Sequence, residues 1–284
     1  MRIVMPLFDF INSDGREFEF GNGTYCLRRF SPDTHMPKDD IPGLSEMDTA
    51  YIRRELWALV AENPDLTTYK EDINRLLLSF KIHTLARLFI KYRLCADDTS
   101  LCSVIAERMN YVLAEKSPRE ITVEQLERVN TGFERLQEMD AIDSVSNRTH
   151  NAIYFMYGAY FAAGHALYLF VLLFMVLEAL FSKEEGGAAT RTICKRASSF
   201  LDSQPRCTYS DIERLYNIRS ELVHGRRRFS KSGENLADAH ELEFVVTQCM
   251  KRMLAERIYL KYKDVTEKEE FFHEIAKMSS RSGV

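Results

Sequence analysis

The chain has 284 residues, of which 45% are hydrophobic and 28% charged, and its formal net charge is −4. This composition is typical of a soluble globular protein with one or two domains, and the negative charge excludes a global field that attracts nucleic acid. Anion binding must therefore depend on local basic patches. Glycine and proline are sparse, at 12 and 7 residues, which favours a mostly helical protein.

Residues 1–45 are predicted to form a small cap of β and irregular structure. Residues 17–20 alternate between polar and apolar types, and residues 24–27 fit a strand that returns after a Gly-Asn-Gly turn. The cap is too short to hold a core of its own.

Residues 46–144 are predicted to form a helical N-terminal region with a regulatory or sensor role. Its first helix is an amphipathic run through Tyr51 and Val60 that stops at Pro64. Further helices are predicted to begin at capping-box patterns at Thr68 and Thr122, or to span residues 99–116, 152–181, 190–201, 234–262 and 266–278. Residues 145–284 are predicted to form a separate helical domain.

The apolar segment 152–177 contains no Asp, Glu, Lys or Arg and is long enough to span a bilayer. Its glycines and its tyrosines in mid-segment favour a buried core helix instead, broken near Gly164. We expect no membrane association, with a single membrane span as the alternative.

The six cysteines show no CxxC pair and no metal-ligand spacing, which indicates reduced thiols in a cytoplasmic protein. No Gly-rich phosphate loop and none of the common hydrolase or kinase motifs is present. The sequence therefore predicts neither a metal nor a cofactor.

Residues 210–228, SDIERLYNIRSELVHGRRR, form the most informative stretch. Ser210 and Glu213 match a capping box that would start a helix. Arg219 falls within the apolar stripe of that helix, where a guanidinium is costly unless it is paired or opens onto a cleft. The stripe consists of Ile212, Leu215, Tyr216, Leu222 and Val223.

Arg219 has two explanations from the sequence alone. Glu178 is the lone carboxylate at the end of the apolar helix, and an ion pair with it would hold two core helices in register. Alternatively, Arg219 binds a phosphate, while His224, at the helix C-terminus before Gly225, transfers protons.

The residues around this pair allow a composite site. Asn217 and Ser220 lie on the same flank as His224, and Arg226, Arg227 and Arg228 form either an electrostatic path for RNA or a solvated loop. Arg219 and His224 are five residues apart, about 140° around an ideal helix. We therefore expect catalysis by both to need a second copy across a twofold axis.

The sequence resembles the HEPN superfamily, and specifically its Apea-like branch. The resemblance covers roughly residues 145–262 and lies in the Arg-x4-His motif within YNIRSELVHG (residues 216–225) and in the upstream VLEALF (residues 176–181). Ser220 stands where ribonuclease members of the family often have Asn, Asp or His.

The resemblance implies an all-helical bundle that forms a homodimer with the Arg-His motif at the dimer cleft. Arg219 and His224 would be the catalytic pair of a metal-independent endoribonuclease, supported by Tyr216, Asn217, Ser220 and Glu178. Such members act as toxins or antiphage effectors, with RNA as substrate and an antitoxin or another defence-system protein as partner. Other members are inactive interaction modules, which is the alternative expectation for this chain.

Overall fold

The computed structural model describes residues 2–7, 10–31, 46–85, 90, 94–95, 120–142, 145–162, 166–183, 189–202, 204–228, 233–261 and 265–281. The chain consists of two compact units. The first contains residues 1–109 and 116–137, and the second contains residues 110–115 and 138–284. The described residues are mostly helical, with a small sheet near the N-terminus, which confirms the predicted fold class at this level.

The first unit contains a five-stranded antiparallel sheet and a separate pair of short strands. In chain order its strands are β1 (Arg2–Leu7), β2 (Ile11–Asn12), β3 (Phe18–Phe20), β4 (Tyr25–Arg29), β5 (Trp57–Glu62), β6 (Leu94–Cys95) and β7 (Glu120–Ile121). The five-stranded sheet has the order β3-β4-β5-β1-β6, and β2 pairs with β7 in parallel. The predicted hairpin is confirmed, because Phe18 pairs with Leu27 and Phe20 with Tyr25.

The prediction of one helix up to Pro64 is wrong. Helix α1 covers only Glu46–Ile52, and the chain then enters β5, which lies between β4 and β1. The side chains from Trp57 to Ala61 are all buried. A short continuous apolar run fits a central strand as well as a helix, and the pairing with two other strands decides between them. The predicted domain boundary at residue 45 therefore falls between strands of one sheet.

Two longer helices complete the first unit, α2 (Tyr69–Thr84) and α3 (Val123–Ala141), of which α3 belongs to this unit up to residue 137. The Ser79 hydroxyl donates to the Val129 carbonyl oxygen at 2.6 Å. The predicted capping box at Thr122 is confirmed, with reciprocal bonds to Gln125 of 2.9 and 3.3 Å. Thr68 precedes α2 as predicted, but its side chain donates to Asp72 instead of capping the helix. The predicted helix over residues 99–116 lies outside the described residues.

The second unit is a helical bundle. Its elements are α4 (Asn147–Tyr157), a π-helical turn (Gly158–Ala162), α5 (Ala166–Phe181), α6 (Ala189–Phe200), α7 (Tyr209–Val223), α8 (Gly233–Ala255), a 3-10 turn (Ile258–Leu260) and α9 (Val265–Arg281). Helix α5 packs against α4, α6, α7 and α8, so it is the centre of this bundle. The predicted break at Gly164 lies outside the described residues. No helix in the described ranges has the length and apolar character needed to cross a bilayer.

The C-terminal end of α5 is capped by cations from three other helices. The Ser182 carbonyl oxygen accepts hydrogen bonds from Arg148 at 3.2 Å, from Arg196 at 3.4 Å and from Lys268 at 2.8 Å. Positive charge at this end offsets the negative end of the helix dipole. The contacts also fix the orientation of the last turn of α5, which carries Glu178.

Candidate functional site

Helix α7 begins two residues earlier than predicted. Thr208, not Ser210, is its N-cap. The Asp211 backbone N–H donates to the Thr208 hydroxyl at 3.3 Å, and the Asp211 carboxylate accepts from the Thr208 backbone N–H at 3.0 Å. Hydrogen bonds from the Thr208 side chain and backbone hold the pKa of Asp211 below its ordinary value. Glu213, the expected capping partner of Ser210, instead accepts from the Tyr209 hydroxyl at 2.7 Å.

The inner face of α7 holds Arg219 next to the end of α5. Ile212, Leu215 and Ile218 are buried, whereas Val223, expected in the same stripe, is 51% exposed. The Tyr216 ring makes an edge contact with Phe174 of α5 at a centroid distance of 5.8 Å. The Arg219 side chain lies on this face with 22% of its surface exposed. It is therefore neither sealed in the core nor free in solvent.

Arg219 forms an ion pair with Glu178. Its Nη2 lies 3.3 Å from Glu178 Oε1, and the two side chains are 22% and 30% exposed. The guanidinium carbon lies 5.8 Å from the centre of the Tyr216 ring. The Arg219 Nε is buried without a hydrogen-bond partner in the described part of the chain. A guanidinium carries five N–H donors in a fork, so this pair leaves donors available to a second anion.

The backbone of His224 ends α7 through a hydrogen bond, and its side chain takes no part in this contact. Its backbone N–H donates to the Ser220 carbonyl oxygen at 3.0 Å, and its imidazole is exposed. Gly225 follows with φ of +69°, a left-handed conformation that glycine adopts readily. The imidazole is thus left available for chemistry at the surface.

The three arginines after Gly225 have different surroundings. Arg226 and Arg228 are exposed, whereas Arg227 Nη2 lies 3.7 Å from Asp238 Oδ2. Asp238 also pairs with Arg214 at 2.6 Å, and Arg214 reaches Glu241 at 2.7 Å. These carboxylates of α8 reduce the local positive charge, so the basic patch is weaker than three consecutive arginines indicate.

The predicted supporting residues divide between two faces of α7. Tyr216 and Arg219 face α5. Asn217 lies on the other face of α7, where it lines an open groove of about 670 Å³ together with Arg227. The remaining lining is mixed in charge, formed by Ser210, Glu213, Arg214, Ile218, Glu221, Ala237 and Asp238. Ser220 is half-buried next to Arg219 in sequence. Asn217 therefore does not share the surface of Arg219.

The sequence reasoning missed the acidic partners on α8. Asp238 and Glu241 are three residues apart and so lie on one face of a helix. This spacing could have indicated an acidic face that pairs with arginines of α7. Among the described residues, no group of His, Cys, Asp and Glu is arranged to hold a metal ion.

Comparison of the chain with protein-family models, with curated proteins and with solved structures finds no match. Membership of the HEPN superfamily therefore stays a prediction from the sequence motif.

Proposed function

We propose that the helical unit is a metal-independent endoribonuclease of the HEPN type that acts as a toxin or antiphage effector in the cytoplasm. Arg219 binds the scissile phosphate, and His224 transfers protons. The protein acts as a homodimer, and an antitoxin or another defence-system protein restrains it. The first unit serves as its regulatory or sensor region.

The incomplete pairing of Arg219 supports this proposal most strongly. Buried unsatisfied donors are costly, and the pair with Glu178 leaves Arg219 incompletely satisfied. Arg219 keeps a buried Nε without a partner and remains 22% exposed. The exposed part of the guanidinium gives a phosphate access to Arg219, and the same helix ends at the exposed His224.

The proposed chemistry needs the RNA, two side chains and water. The ribose 2′-hydroxyl attacks the adjacent phosphorus, and the bond to the 5′-oxygen of the next nucleotide breaks, which leaves a cyclic phosphate. The imidazole either takes the proton of the 2′-hydroxyl, while water protonates the leaving oxygen, or gives a proton to the leaving oxygen, while water takes that of the 2′-hydroxyl. The guanidinium stabilises the charge that develops on the phosphate oxygens.

The test is RNA cleavage in the presence of a metal chelator. Wild-type protein is expected to cleave, and His224→Ala to lose at least about a hundredfold in rate, because a general acid–base group contributes about 10²–10⁴-fold. His273→Ala is the matched control, since it removes another exposed imidazole, on α9. Equal cleavage by wild type and His224→Ala, or no cleavage by wild type, would contradict the proposal.

An inactive dimerisation or interaction module is the second candidate. The Arg219–Glu178 pair at 3.3 Å supports it, because the pair links α7 to α5 and occupies part of the guanidinium. In that case Arg219→Met is expected to change the stability of the bundle, while no variant of His224 alters any RNA-dependent property. The chelator assay therefore separates the two candidates.

A further inference from the structure

The carboxylate beside Arg219 lies in an electrostatically unfavourable position. Glu178 occupies the last turn of α5, where the helix dipole disfavours an anion. It is also the one charged side chain in the sequence of that helix, ALYLFVLLFMVLEALF. Its Oε1 lies 3.3 Å from Arg219 Nη2. A carboxylate in an unfavourable place on an otherwise uncharged helix has its stabilising contact in this arginine.

The ion pair is accessible and incomplete. The two side chains are 30% and 22% exposed. The Arg219 Nε is buried and lacks a partner among the described residues. Water reaches both side chains and screens part of the attraction between them. An incoming phosphate can therefore displace the carboxylate from the guanidinium at small cost.

We infer that Glu178 is an internal competitor for RNA phosphate at Arg219, so that it sets the affinity of the site. With the carboxylate in place, the pair is locally neutral and holds the guanidinium fork in one position. A phosphodiester that reaches Arg219 must either displace Glu178 or bind to the donors that Glu178 leaves unused. Glu178 is thus a positioning residue, and this inference rests on the proposed function because the competing anion is RNA phosphate.

The experiment measures binding without cleavage. The probe is a fluorescein-labelled oligoribonucleotide in which every 2′-hydroxyl is methylated, so that the attacking group is blocked. Its affinity is measured by fluorescence anisotropy at about 50 mM and about 200 mM salt, since screening weakens charge effects. Glu178→Gln is expected to bind about fivefold more tightly at the lower salt concentration and less so at the higher one.

Three variants control for the alternatives, and a fourth guards against misfolding. Glu178→Asp retains the charge and is expected to bind like wild type. Glu62→Gln removes a carboxylate of matched exposure, 29% against 30%, from the Arg2 ion pair of the first unit. The gain of Glu178→Gln is expected to vanish when Arg219→Ala is added. Glu178→Ala removes the same charge and replaces the glutamine variant if circular dichroism shows that the latter is unfolded.

Several outcomes would overturn the inference: unchanged or weaker binding by Glu178→Gln, an equal gain in Glu62→Gln, a gain that persists without Arg219, or no binding by any variant. The proposed nuclease fails separately. If Glu178→Gln binds more tightly but unmodified RNA is never cleaved, the competitor role stands and the nuclease does not. If cleavage depends on His224 while Glu178→Gln binds normally, the nuclease stands and the competitor role fails.

Discussion

At the scale of single residues, backbone and side chain have separate tasks in the Arg-x4-His segment. The His224 backbone N–H closes the last turn of α7, while its imidazole is exposed. Replacement by alanine therefore keeps the hydrogen bond that ends the helix. Loss of function in His224→Ala would then report chemistry and not misfolding.

The N-cap of α7 gives a prediction on pH. The pKa of Asp211 is lowered by its hydrogen bonds with Thr208, so the folded state favours the carboxylate. That contribution to stability is present above the unfolded pKa of about 3.9 and is lost as the pH falls through the folded pKa. Asp211→Asn is thus expected to be less stable than wild type in urea unfolding at pH 7, with a difference that shrinks at pH 3.

Thr208→Ala supplies the control for this prediction, because it removes the hydroxyl that bonds Asp211. In that background, Asp211→Asn is expected to have a smaller effect on the free energy of unfolding at pH 7. A difference between wild type and Asp211→Asn that does not change between the two pH values would contradict the role of the carboxylate.

At the scale of secondary-structure elements, the sequence predicts the type of an element better than its first residue or the elements that it packs against. The stretch TYSDIE contains two overlapping capping patterns, and Cys207, buried to 2% exposure, fixes the chain just before Thr208. The local sequence pattern does not contain this information on burial. The prediction of Ser210 as the N-cap was therefore wrong. The apolar run of β5 forms a strand and not a helix because it pairs with residues that are distant in sequence, such as Tyr25 and Arg2.

The candidate site shows the same division. The contact of Arg219 with Glu178 could be predicted from the sequence, because Glu178 is the single charged residue of α5. The pairing of Arg214 and Arg227 with Asp238 was not, because it depends on how α7 and α8 pack. A charge on a polar helix face has many candidate partners, and only the tertiary structure selects among them.

The contact between α2 and α3 gives a prediction on stability. A Cβ added at Gly132 would overlap Ser79 Oγ and His83 Nε2. Alanine in place of a helical glycine ordinarily stabilises by about 0.5–1 kcal/mol. Here Gly132→Ala is expected to reduce the free energy of unfolding by about 1–3 kcal/mol, as overpacking does, measured by urea denaturation. The neighbouring Thr131→Ala, at an exposed position, is the control, and a more stable Gly132→Ala would show that the two helices are not held this close.

At the scale of the whole molecule, the proposed site needs two copies of the chain. Arg219 faces α5, and His224 sits at the end of α7, so one helix directs them differently. Twofold symmetry would bring the arginine of one subunit to the histidine of the other. The proposed homodimer is therefore a condition of catalysis.

Mixing two inactive variants tests this condition. Arg219→Ala and His224→Ala are each expected to be inactive, but mixed dimers would contain one intact site with an arginine from one chain and a histidine from the other. After subunit exchange, about a quarter of wild-type activity is expected, since half of the dimers are mixed and each has one of two sites. Unmixed variants at the same total concentration are the control. Two active single variants, or no recovery on mixing, would contradict a shared site.

The triple cation cap at Ser182 has a consequence for local unfolding. Arg148, Arg196 and Lys268 hold the carbonyl oxygen from α4, α6 and α9, and the Ser182 amide donates to the Glu178 carbonyl oxygen at 3.0 Å. Ends of helices ordinarily fray, and their amides exchange with solvent quickly. This end can open only when contacts with three other helices are released. The carboxylate beside Arg219 thus moves as part of a larger cooperative unit, in which the C-terminal helix takes part although it is distant in sequence from the arginine.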